Sequence, residues 1–135
     1  MTATSNLDLV RSILADWERG DFRRADWAHP EIEYLIADGP SPGRWRGLAG
    51  MAEAMRDWLG NWEDFRIEAD EFRELDDERV LVFAHYSGQG KTSGLEIGQV
   101  RMTATTLLNI RDGKVVRLVT YFDRDRALAD LGLEG

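Results

Sequence analysis

From residue 65 onward the hydrophobic and polar positions run in extended stretches, whereas the earlier chain places its apolar residues three and four apart. Four extended runs cover residues 65–75 (FRIEADEFREL), 78–90 (ERVLVFAHYSGQG), 95–110 (LEIGQVRMTATTLLNI) and 114–123 (KVVRLVTYFD). Rich in β-branched and aromatic residues and bounded by Asp and Gly, they predict strands. Ordinary strands are about five or six residues long, and several of these are roughly twice that. Antiparallel strands of such length twist and coil, which predicts a curved sheet with a concave face. Phe65, Ile67 and Ala69 share one face, but Phe72 and Leu75 break the alternation, so a bulge is expected near Asp70 or Glu71. Asp76-Asp77 reads as a turn, and Arg111-Asp112-Gly113-Lys114 as a tight hairpin turn with glycine at positive φ. Gly88, Gly90 and Gly94 mark a bend or a splayed end between the two middle strands.

Ahead of the sheet, Leu9, Val10, Ile13, Leu14 and Trp17 form the apolar stripe of a helix over residues 5–19, capped by Ser5 or Asn6 and stopped at Gly20. A short second helical piece is expected over residues 22–27, ending before His29-Pro30, because proline pushes the preceding residue out of helical geometry. A strand follows at 31–37, then the Gly/Pro-dense loop DGPSPGRWRG at 38–47. Residues 48–62 predict a third helix with Met51, Met55, Trp58, Leu59 and Trp62 on one side. That stripe reads as core packing that also forms the inner wall of a pocket. The sequence after Asp123, RDRALADLGL, predicts a short terminal helix with Asp123 at its N-cap.

The 135 residues, 43% hydrophobic and 31% charged, describe one globular domain with its core between about residues 6 and 133. A net charge of -8 with no basic run argues against nucleic acid as a partner. No apolar stretch approaches the roughly 20 residues of a membrane span, and MTATSNLDLV lacks the basic-then-apolar pattern of a leader, so a cytoplasmic protein is expected. Cysteine is absent, and neither histidine has partners at ligand spacing, so no metal and no cofactor are expected. GQGKTSG lacks the spacing of a phosphate-binding loop.

Three stretches, ERGDFRRADWAHPEIEY, GRWRG and RDGKVVRLVTYFDRDRAL, carry a resemblance to a known family. With the element order, they resemble the SnoaL-like domains of the nuclear-transport-factor-2-like superfamily, which includes polyketide cyclases and relatives of ketosteroid isomerase. The resemblance implies an α+β cone: a curved antiparallel sheet packed against three N-terminal helices, with a short C-terminal helix. It also implies a homodimer, for which Val115 and Val119 on the outer sheet face would leave apolar surface to cover.

In ketosteroid isomerase-like sequences the general base is an aspartate leaving the first strand, nine residues before the glycine that opens the third helix; Asp38 and Gly47 match that spacing. Asp38 is therefore a candidate proton carrier, with an ordinary Asp-Gly-Pro turn as the alternative. The donors that stabilise an enolate in those isomerases would fall near Ile13 and Thr106, and neither supports that route well. His85 follows Leu81 and Phe83 at alternating spacing, so it is expected on the concave face, as a base, a donor or a core residue. The acid that epoxide hydrolases and cyclases of this fold carry on the last strand falls at Thr120, leaving Asp123 as a cap. Arg44 and Arg46 could hold a ligand carboxylate, although solvated loop arginines are the simpler reading. The expected pocket is lined by Trp17, Tyr34, Met55, Trp58, Phe83, Met102, Thr106, Leu118, Thr120 and Phe122, with Trp45 as a lid over its mouth. Two functions follow: a cofactor-free isomerase- or cyclase-type enzyme moving a proton on a small hydrophobic carbonyl compound, or a non-catalytic ligand-binding or assembly module.

Overall fold

The computed structural model describes residues 5–22, 26–38, 42–60, 62–92 and 95–133, with the backbone alone at 62–64, 89–92 and 95–101. Helix α1 (Asn6–Glu18) begins where the Ser5 hydroxyl accepts from the Asp8 N–H at 3.1 Å, and it buries Val10, Ile13, Leu14 and Trp17. Strand β1 (Ala28–Ile36), the short strand β2 (Gly43–Arg46) and helix α2 (Gly47–Gly60) follow. Strands β3 (Trp62–Glu74), β4 (Arg79–Thr92), β5 (Leu95–Arg111) and β6 (Lys114–Tyr121) lead into helix α3 (Arg124–Asp130). Asp123 caps α3, its side chain accepting from the Arg126 N–H at 3.2 Å.

These elements form an α+β fold, a curved six-stranded sheet in the order β2-β1-β6-β5-β4-β3. It is mixed rather than antiparallel throughout: β1 runs parallel to β6, with Tyr34 opposite Leu118 and Ile36 opposite Thr120. The other neighbouring strands are antiparallel. Between β3 and β4 the register shifts from Ala69 to Glu71, so Asp70 is the extra residue of the expected bulge. At the β5–β6 hairpin both Asp112 (φ 50°) and Gly113 (φ 76°) take left-handed geometry, which matches the right-handed twist of long strands.

Four boundaries differ from expectation. His29-Pro30 lies inside β1, where the pairing with β6 is irregular between Ala28 and Glu33; proline is tolerated there because no regular ladder bond is asked of it. Part of the Gly/Pro loop, Gly43–Arg46, is an edge strand on β1. It lets the Trp45 ring lie on Gly43, where a Cβ would stand 2.7 Å from the ring. Helix α2 ends at Gly60, and Trp62 already belongs to β3. The short helix expected over 22–27 falls largely on 23–25, outside the described residues, and its described ends, Phe22, Asp26 and Trp27, are not helical.

The sheet is covered on both faces. Helix α1 packs on β3 and β4 and α2 on β1, closing the concave face around a core that includes Ile32, Val82, Leu108 and Leu118. On the outer face Leu81, Phe83, Leu107, Val119 and Tyr121 pack under Ala127 and Leu128 of α3. This corrects the outer-face argument for a dimer: Val115 and Val119 are 0% and 4% exposed within the single chain. Among the described residues the only exposed large hydrophobic is Leu48.

Candidate functional site

The hollow opens between α1, α2 and the concave face. Trp17 of α1, Met55, Trp58 and Leu59 of α2, and Tyr34 and Ile36 of β1 line it, together with Phe65, Ile67, Tyr86, Leu118, Thr120, Phe122 and the linker residue Phe22. Several arrive by periodicity: Met55, Trp58 and Leu59 are three and four apart on one helix face, while Leu118, Thr120 and Phe122 alternate toward it from β6. The rings interlock. Trp58 stacks on Phe122 at 5.4 Å and 24°, and meets Phe65 and Tyr86 edge-on at 6.0 Å each. Phe65 and Tyr86 form a further edge contact at 5.2 Å. The free space left among these rings is about 40 Å³. Pockets for drug-sized molecules run from about 300 Å³, so an occupant larger than a few atoms must part the rings around Trp58 and Phe122. Those two rings and Phe22, Phe65, Met55 and Leu59 are only partly buried, and they form the rim that can move.

Among the described lining residues the polar side-chain groups, indole N–H groups apart, are hydroxyls: Tyr34, Tyr86 and Thr120. Tyr34 is hydrogen-bonded to Thr120, and burial pushes its phenol up to about 12. Tyr86 is hydrogen-bonded to Thr106 and held higher still, first by burial and then by the charge of nearby Tyr34. Both phenols therefore stay neutral across the physiological range, as donors rather than bases. No carboxylate, imidazole or ammonium lies among the described lining residues.

The two expected proton carriers are not brought together. Asp38 stands just beyond β1, where its Oδ1 accepts from the Phe122 N–H at 2.6 Å and its Oδ2 from the Asp123 N–H at 3.4 Å. It fastens the end of β1 to the exit of β6, next to the hollow but outside its lining. His85 is on the opposite face. β4 pairs Ala84 with Ala104 and Tyr86 with Met102, so the even-numbered residues face the hollow, while Leu81, Phe83 and His85 point outward. The concave placement of Phe83 and His85 is corrected accordingly. Phe83 packs in the outer cluster, with the Arg124 guanidinium 4.1 Å from its ring centre. His85 sits between two acids of β3, its Nδ1 2.9 Å from Asp70 and its Nε2 3.2 Å from Glu68.

Of the remaining expected lining residues, Trp17, Tyr34, Met55, Trp58, Leu118, Thr120 and Phe122 line the hollow. Trp45 does not cover the mouth; it lies directly across from Tyr34, ring centres 5.8 Å apart, as backing to that tyrosine. Met102 and Thr106 are on the concave face behind the lining. Arg44 and Arg46 are exposed on β2, with Arg46 4.0 Å from Glu33. Phe22, Ile36, Leu59, Phe65, Ile67 and Tyr86 line the hollow beyond the expected set, and Tyr86 is the one with a polar group among them. Residues 80–84 are buried at every position, so no polar–apolar alternation reveals which face each side chain takes.

Asp38 offers a direct test of role. Asp38→Ala removes the acceptor for two backbone N–H groups and is expected to cost about 1.5–3 kcal/mol of stability, whereas Asp38→Asn keeps an acceptor oxygen and should cost under about 1 kcal/mol. Denaturant unfolding of both variants checks this. Equal stability of Asp38→Ala and the native protein would dismiss the clamp.

No helix among the described residues is long and apolar enough to cross a membrane, and no cluster of three or more His, Cys, Asp or Glu among them could hold a metal. No curated protein matches the chain by sequence. Among solved structures, TerC co-crystallised with polyporic acid superposes with a TM-score of 0.73 at 24% identity, over 93% of this chain and 96% of that one. An NTF2-like protein of unknown function from Burkholderia pseudomallei K96243 gives 0.76 at 18% identity, over 95% and 97%. A Pseudomonas putida KT2440 protein named as a polyketide cyclase gives 0.70 at 18% identity, over 94% and 98%. At these identities the likeness speaks to the fold alone. The SnoaL-like domain family matches residues 10–118, and this chain belongs to it.

Proposed function

We propose that this domain binds a small, flat, largely apolar carbonyl compound in the hollow, without metal or cofactor. The observation that carries the reading is the wall itself: interlocking aromatic rings around Trp58, with hydroxyls at Tyr34, Tyr86 and Thr120. Ring faces favour a flat occupant, since stacked and edge contacts reward aromatic bodies beyond their buried area. Neighbours named as polyketide cyclases, and TerC co-crystallised with polyporic acid, support a small-molecule ligand on this scaffold. The homodimer rests on the family resemblance alone.

Isomerase- or cyclase-type catalysis is the second reading, and its best-placed candidate is Asp38. The carboxylate bonds the backbone of Phe122, whose side chain lines the hollow, so displacement of that rim would bring it to the ligand. An Asp38→Asn protein that folds and binds but no longer turns over would establish it.

The binding reading is tested by titrating flat aromatic ketones against tryptophan fluorescence, because Trp17 and Trp58 both line the hollow. Saturable quenching is expected, with dissociation constants between about 1 µM and 1 mM. Linear, non-saturating quenching by every ketone, equal to that of free tryptophan, would end it.

A further inference from the structure

The described lining of the hollow carries no charged side chain, so hydrogen bonding to a ligand there falls to hydroxyls. Three hydroxyls, those of Tyr34, Tyr86 and Thr120, line the hollow, and a fourth, that of Thr106, lies on the concave face behind them. Thr106 and Thr120 are direct cross-strand partners on β5 and β6. Tyr34 reaches Thr120 from one side and Tyr86 reaches Thr106 from the other. All four residues are at least nine-tenths buried: Tyr34 and Tyr86 are each 8% exposed, Thr106 5% and Thr120 4%.

A hydroxyl carries one proton and two acceptor lone pairs. Each Tyr–Thr pair therefore spends one of its two O–H protons internally and holds one more. In water such protons are cheaply satisfied; in an aromatic hollow an oxygen that accepts them gains a bond and loses no better partner. A hydrocarbon seated there offers them nothing. Sites built around buried hydroxyls reject ligands lacking the matching oxygen for this reason.

We propose that the Tyr34–Thr120 and Tyr86–Thr106 pairs form a donor site for a single carbonyl oxygen, and so determine which flat molecules the hollow accepts. The inference rests on the binding reading above. The ligand enters oxygen first, its ring body remaining among Trp58, Phe65 and Phe122. The burial that keeps both phenols protonated keeps them donors at every physiological pH. Tyr34 and Tyr86 thus act as specificity-determining residues, and Thr120 and Thr106 as the groups that orient them.

The test compares 2-acetylnaphthalene with 2-isopropenylnaphthalene, which replaces the carbonyl oxygen by a CH2 of similar shape. The ketone is expected to bind at least about tenfold more tightly, the equivalent of about one good hydrogen bond. Its C=O stretch should fall below that of the same ketone in hydrocarbon solvent. Tyr34→Phe and Tyr86→Phe should each raise the stretch frequency and weaken the ketone several-fold, leaving the alkene unchanged. If both compounds bind the native protein equally, the donor site is refuted while the hollow stands. If neither binds, both readings fall. The native-protein comparison decides the matter even where a variant does not fold.

Discussion

Raising the pH from 10 to 12 is expected to unfold this domain, in step with the appearance of phenolate absorbance. The unperturbed phenol titrates at 10.0, whereas Tyr34 in the folded protein is held up to about 12 by burial, offset in part by its bond to Thr120. Below pH 10 the phenol is protonated whether the chain is folded or not, and its contribution to stability is fully present. Between 10 and 12 the unfolded chain releases a proton that the native chain retains, so stability falls as pH rises. Over that interval the loss amounts to about 2 kcal/mol. Tyr86 is pushed higher and adds to the loss over the same range and beyond it. Against a typical total of about 5–15 kcal/mol, the two losses together remove most of the stability of a domain near the lower end of that range. Circular dichroism and phenolate absorbance followed together should give one cooperative transition. Tyr34→Phe, by deleting one of the two groups, should move its midpoint to higher pH. Phenols that titrate near 10 with the fold intact would show that Tyr34 and Tyr86 are not held in the hollow as described.

The second large effect is expected from Trp58→Ala. Trp58 touches Phe65, Tyr86 and Phe122 and is partly buried, so truncation loses three ring contacts, each worth about 0.5–1.5 kcal/mol, along with buried apolar area. A cost of about 2–3 kcal/mol is expected, below the roughly 3–5 for a fully buried aromatic because part of the indole is already in water. The same change removes one wall of a hollow with only about 40 Å³ free. Bulkier aromatic ketones should then bind better than they do to the native protein, while the smallest flat ones lose about tenfold for want of the stacking ring. Thermal denaturation gives the first number and a size series of ketones the second. An unchanged size preference would mean that Trp58 does not bound the ligand.

Much of the candidate site is legible in the sequence, and the residues it misplaces have particular causes. Trp17, Met55 and Trp58 follow from helical spacing, because each sits on the only apolar stripe of a helix. Leu118, Thr120 and Phe122 follow from alternation on β6. Phe83 and His85 fall on the face opposite to the expected one because β4 is sandwiched, with the concave core on one side and α3 on the other. A strand buried on both faces shows no alternation, and a one-residue error exchanges every side chain on it. Tyr86, the polar residue this exchange conceals, faces the hollow as a result.

The sequence by itself determined helices α1, α2 and α3 and strands β1 and β3 to β6 to within a few residues, a bulge near Asp70 or Glu71, a cap at Ser5 or Asn6 and another at Asp123, and the hairpin turn at Arg111–Lys114, because each depends on residues within a few positions of one another. The parallel pairing of β1 with β6, the edge strand at Gly43–Arg46 and the burial of Val119 beneath α3 were decided by tertiary structure alone. So were the fastening of Asp38 to Phe122 and the meeting of Tyr34, Thr120, Thr106 and Tyr86, which draws on four strands. Local periodicity reports which way a side chain points relative to its own backbone; only packing reports what it points at.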